Sequence, residues 1–126
     1  MLPYGFYKVL HILGIALTLV ALGGMTVHAL NGGLKGENVA RRLLIGMHGT
    51  GVLFILVGGF GLLARIGFAH GSGFPFWLWV KLGLWGGFAV VAAVPYRAPA
   101  RGKSILLLLP VLAMAAAAMA VYKPSE

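Results

Sequence analysis

Trp77-Leu-Trp-Val-Lys81-Leu-Gly-Leu-Trp85 is the stretch on which the reading of this chain turns. It lies in a run that is apolar from Phe74 to Val94 apart from Lys81. A run of about 20 apolar residues crosses a hydrocarbon core of about 30 Å as a helix. On that helix Trp77 and Trp85 stand four residues to either side of Lys81, so all three share one face. An ammonium at membrane depth costs at least about 2.5–3.5 kcal/mol. It persists only by snorkelling to the headgroups, by pairing, or by meeting a ligand.

The rest of the composition agrees with a membrane setting. The chain has 126 residues, 60% hydrophobic and only 10% charged, with a mean hydropathy of +0.97. Soluble domains carry about 25% charged residues. The length predicts one integral membrane domain, 1–126, with no separate unit. With no cysteine, neither a disulfide framework nor a thiolate metal site can form. The net charge of +8 comes from ten Lys/Arg against Glu37 and Glu126. Because the cations cluster at the ends of apolar runs, they read as topology signals and anionic-lipid contacts at the cytoplasmic face, not as a nucleic-acid surface.

Working outward from the third run, three more appear. The predicted helices are at about 7–30, 43–64, 76–94 and 104–122. The first is too long for a signal-peptide core and reads as a retained helix. Asn31-Gly-Gly33 ends it, a Gly-rich turn with His70 follows the second, and Pro95 ends the third. Ser104 is the expected N-cap of the fourth, Pro110 its expected kink, and Lys123-Pro124 its stop. Short connections between four such helices predict an all-α, up-down-up-down antiparallel bundle.

Loop charge orients it. Lys35, Arg41, Arg42, Arg97, Arg101 and Lys103 collect at one end, and Lys8, Arg65 and Lys123 at the other. The first end is expected in the cytoplasm, which places a multi-pass inner-membrane protein with both termini outside. Tyr4, Tyr7, Phe74, Phe76, Trp77, Trp79 and Tyr122 would form an aromatic belt at the outer interface, and Tyr96 marks the inner one.

A seven-residue repeat marks the inward faces. His11, Thr18 and Met25 alternate with Gly14, Ala21 and His28 on the first helix; His48, Ile55 and Leu62 interleave with Gly51 and Gly58 on the second. Most of the 20 glycines, including Gly83, Gly86 and Gly87, are expected inside, where they let backbones approach.

His11 and Lys81 fall at similar depth near the outer end. Three readings compete for them. In one, Lys81 snorkels and His11 bonds a carbonyl. In another, His11 is an axial ligand of haem b or a porphyrin and Lys81 meets a carboxylate. The third is a proton relay or transport path, disfavoured because no Asp or Glu lies within a span. His28 and His48 form a second, inner level, as interfacial hydrogen-bonding groups or as haem ligands; His11 and His48 are the candidates for metal ligation. No carboxylate pair, nucleophile elbow, phosphate loop or zinc motif appears, which argues against hydrolase chemistry and leaves no catalytic residue to name.

Lys8-Val-Leu-His11-Ile and Trp77-Leu-Trp-Val-Lys81-Leu resemble the opening helix and a later helix of the HemJ-type protoporphyrinogen oxidase family, and more loosely the CopD and SirB-like membrane proteins. That resemblance implies a haem-ligand role for His11 and a required lysine at Lys81. The HemJ pattern rich in Pro, Arg and Tyr at the end of the first helix is replaced here by Gly23-Gly-Met-Thr-Val-His28. The opening and the Tyr122-Lys-Pro124 ending are similar to those of short bacterial four-helix membrane proteins, which implies the fold alone. The functional expectation is therefore a haem- or porphyrin-associated membrane protein, more binding protein than enzyme. Its alternative is a non-catalytic accessory or scaffold subunit of a larger complex or homo-oligomer, packing through the Ala113 to Ala120 face.

Overall fold

The computed structural model describes residues 2–65 and 75–122. The expected Gly-rich turn with His70, Phe74 and the Lys123-Pro124 stop lie outside the described residues. Four helices are long and apolar enough to cross a membrane, consistent with a multi-pass membrane protein. They are α1 (Tyr4–Leu30), α2 (Arg41–Arg65), α3 (Phe76–Val90) and α4 (Gly102–Tyr122). Among the described residues there is no strand.

The C-terminal end of α3 and the N-terminal end of α4 differ from the sequence expectation, while Phe76 and Tyr122 bound them as expected. The α-helix of α3 stops at Val90 and tightens into a 3-10 turn, Val91–Ala93, ahead of Pro95. The residue before a proline is pushed out of helical geometry, and the tightening begins a turn earlier. Ser104 does not cap α4; it lies inside the helix, which Pro99–Arg101 leads into as a 3-10 turn. Proline at the first position of that turn supplies the helical φ and has no N–H to leave unpaired. Pro110 sits within α4, which continues to Tyr122; its ring removes the donor that the Leu106 carbonyl would otherwise receive.

The helices form a ring in chain order, α1 against α2 and α4, α3 against the same two, so α1 and α3 face each other diagonally. The closest pair is α1 with α2. Glycine is the reason. A Cβ on Gly14 would lie 2.6 Å from the Ile55 nitrogen and 2.7 Å from the Gly51 oxygen. One on Gly51 would lie 2.8 Å from the Thr18 nitrogen, and one on Gly58 2.7 Å from the His11 nitrogen. No larger residue permits this approach, and close backbone approach is what drives helix pairing where lipid removes the hydrophobic incentive. The buried hydroxyls of this seam are served within α1: Thr18 donates to the Gly14 carbonyl at 2.8 Å and Thr26 to that of Leu22 at 2.6 Å.

The repeat read from α1 is the buried face, with Gly14, Thr18, Ala21 and Met25 all inside. The glycines of α3 are not. A Cβ on Gly83, Gly86 or Gly87 would meet nothing within 4 Å, and Gly83 and Gly87 are exposed. These positions face away from the packed seam.

The apolar core is off-centre. Ala21, Leu22, Met25, Phe88, Ile105 and Leu109 pack together in the half of the bundle nearer the α1–α2 and α3–α4 connections. Those connections are tied by an Asn38 Nδ2 to Tyr96 hydroxyl bond of 3.0 Å, so the six cations of the two connections gather at one end. Toward the opposite end, that of the N-terminus of α1 and the C-terminus of α4, the interior opens into cavities.

Candidate functional site

His11 is half-buried on the side of α1 that packs against α2. Gly58 and Gly59 make room for it: the imidazole Cε1 lies 3.4 Å from where a Gly59 Cβ would stand. Its Nδ1 is 2.8 Å from the Ile55 carbonyl oxygen. A carbonyl can only accept, so Nδ1 carries the proton, and in the neutral ring Nε2 holds the lone pair.

Lys81 comes from the diagonal helix. It is five residues from the start of α3, and His11 seven from the start of α1; at 1.5 Å per residue both sit about 7–10 Å in from the same end. The Trp77–Lys81–Trp85 face turns into the bundle. Trp77 is 5% exposed, Lys81 is half-buried, and Trp85 Nε1 donates to the Val52 carbonyl at 2.8 Å. Trp79, off this face, is 59% exposed, whereas Trp77, also expected in the outer aromatic belt, is buried inside the bundle.

Two cavities meet at these residues. One, of about 180 Å³, is lined by Gly59, Phe60, Trp77 and Leu78; the other, of about 440 Å³, by Ile15, Leu84, Phe88 and Ala116. His11, Lys81, Ile55 and Trp85 line both. The pair therefore stands between two largely apolar voids, with an unprotonated nitrogen and an ammonium shared by both; Tyr4 also lines both, and Lys8 and Thr18 line the larger. Small-molecule sites have this composition: apolar walls, few polar groups and about 300–1,000 Å³. Ala113, Ala117 and Ala120 line the larger void. Part of the alanine half of α4 thus borders the cavity, while Met114 and Ala117 on the same stretch are exposed.

The inner histidines sit elsewhere. His48 Nε2 donates to the Phe88 carbonyl at 2.9 Å, and His28 Nδ1 lies 2.8 Å from the Tyr96 hydroxyl with the two rings edge to face. His48 precedes Ile55, the partner of His11, by seven residues, or about 10 Å along α2. His11 and His48 are thus held to different carbonyls at different levels, and His28 is held to Tyr96. Among the described residues no group of three His, Cys, Asp or Glu could hold a bare metal ion. A porphyrin supplies four ligands itself and asks the protein for one or two.

The hydrogen bonds made by three participants carried no sequence signal. The Ile55 carbonyl is backbone. The Trp85 indole bond crosses to α2. Tyr96 joins Asn38 and His28 from two other segments; only a tyrosine near the inner interface was legible. No protein-family model, curated protein or solved structure matches this chain.

Proposed function

We propose that this chain is a haem- or porphyrin-associated protein of the bacterial inner membrane, with His11 as the axial ligand and Lys81 as the partner of a ligand carboxylate. The observation that carries the reading is the His11 Nδ1 bond to the Ile55 carbonyl beside a cavity shared with Lys81. Metal-binding imidazoles are oriented by such a bond on the other nitrogen, which fixes the tautomer and raises ligand basicity. The bound iron would supply an electrophilic centre for that lone pair. The walls fit a flat apolar ring, and the half-buried ammonium fits an acidic edge. The resemblance of Lys8 to Ile12 and Trp77 to Leu82 to HemJ-type proteins points the same way. The assignment is to binding; no side chain here is given a catalytic role.

Titration of the purified chain in detergent with haem b tests it. The wild type should develop a shifted Soret band, His11→Ala should not, and Lys81→Met should weaken binding about tenfold or more, the worth of a charge-assisted hydrogen bond. A Soret shift retained in His11→Ala sinks the ligand assignment.

A second reading is an accessory subunit or homo-oligomer. It is favoured by the open, exposed glycines Gly83 and Gly87 on α3, where another helix can approach closely. Native mass in detergent tests it: a stable lone monomer that co-purifies with nothing counts against it.

The cytoplasmic placement of the six-cation end follows from the positive-inside rule. It puts both termini in the periplasm.

A further inference from the structure

A third cavity, of about 580 Å³, opens at the connection end of the bundle, separate from the His11 site. Its floor is apolar, with Met25, Ala29, Ile45 and Ala92. Its rim carries Lys35, Arg41 and Arg97, all exposed. Among the described residues none of the three is in an ion pair. Glu37, the sole acid among the described residues, has its carboxylate turned to the Leu34 N–H at 3.1 Å. Asn38 and Tyr96 form a polar wall held together by the Asn38 Nδ2 to Tyr96 hydroxyl bond, with the same hydroxyl bonded to His28. A cavity thus presents three cations above an apolar floor, at the ends of spanning helices where headgroups lie.

We infer that this cavity binds the phosphodiester headgroup of an anionic glycerophospholipid. Arg41, Arg97 and Lys35 take the phosphate, and Met25, Ile45 and Ala92 take the first methylenes of the acyl chains. Charge complementarity selects an anion: three cations come from two connections and the start of α2, and guanidinium forks match phosphate oxygens. The floor selects a lipid over a free phosphate. Ile45 lines the cavity and is also 47% exposed, so an acyl chain leaving the floor runs onto the exposed side of α2 that Ile45 presents. Basic pockets between helices at the cytoplasmic side hold anionic headgroups by this combination. The inference does not depend on haem binding.

Native mass spectrometry of the full chain, loaded with phosphatidylglycerol or phosphatidylcholine, reads lipid retention directly. The wild type should retain phosphatidylglycerol preferentially. The double variant Arg41→Gln/Arg97→Gln should lose roughly 25-fold, about fivefold per cation near the surface. Arg101→Gln/Lys103→Gln removes the same charge at the same end without touching the cavity lining, and should lose much less. Equal losses in the two double variants, or equal retention of the two lipids, overturns the site. Competition by soluble glycerol phosphate as effective as by the lipid shows a free-phosphate site and overturns the lipid assignment. Should the double variant not fold, a photoactivatable phosphatidylglycerol on the wild type decides: adducts at Met25, Ile45 or Ala92 support the site, and adducts confined elsewhere overturn it.

Discussion

His11 of α1 donates its Nδ1 proton to the carbonyl of Ile55 on α2 at 2.8 Å, which leaves Nε2 as the basic nitrogen of a half-buried ring. The same bond serves packing and chemistry, and the two roles separate by substitution. His11→Gln can still donate to Ile55 but has no imidazole lone pair. It should keep near-wild-type stability and lose haem binding. His11→Phe should lose about 0.6–1.7 kcal/mol, the range for an interhelical hydrogen bond in a membrane. Unfolding in detergent and the haem titration read the two effects independently. Haem binding that follows stability through both variants would show that the ring acts through folding alone.

Gly14 and Gly83 predict opposite responses to the same change. A methyl at Gly14 meets backbone atoms of Ile55 and Gly51, at 2.6 and 2.7 Å, and backbone cannot rotate away. Gly14→Ala should therefore cost at least about 1–3 kcal/mol. At Gly83 the methyl meets nothing within 4 Å. Gly83→Ala should leave the monomer unchanged or stabilise it by up to about 1 kcal/mol through helix propensity. Thermal unfolding of both variants in one detergent is the check.

Trp85→Phe replaces the indole with a smaller aromatic ring and removes the N–H that reaches Val52. The loss should be modest, about 0.6 kcal/mol and at most about 1.7. Thermal unfolding of the variant and the wild type in one detergent is the check.

Tyr96→Phe breaks two bonds at once, from Asn38 and to His28. Partners left unsatisfied at partly buried positions should cost about 1–3 kcal/mol. Amide exchange should rise at the two connections and stay unchanged around Ile55, since the tie is local to that end.

A reporter fused after Glu126 should be active only outside the cytoplasm. Cytoplasmic activity would invert the orientation, and with it the leaflet of the proposed lipid site.

The α1 seam was legible because its cause is local: a seven-residue repeat of small and polar residues projects one face of a helix whatever lies opposite. The ends of α3 and α4 were less so. Val90 and Ser104 lie where proline geometry and 3-10 turns shift a boundary by a turn or less. The glycines of α2 and α3 look alike in sequence. Gly58 is inside and Gly83 is not, because that depends on how each helix is rotated about its axis.

By itself the sequence determined four apolar spans, their antiparallel order, the buried face of α1 and the collection of six cations at one end. Span length, periodicity and charge are properties of each segment alone. Only the tertiary structure decided that the Lys81 face turns inward, that His11 rests on Ile55 while His48 rests on Phe88, and that the apolar core lies between the His11 cavities toward one end and the cation-rimmed cavity at the other. Those outcomes depend on the relative rotation and level of neighbouring helices. Both are set by which side-chain volumes meet across the interfaces, and the glycine contacts of α1 with α2 bring one pair close while α3 and α4 stand off.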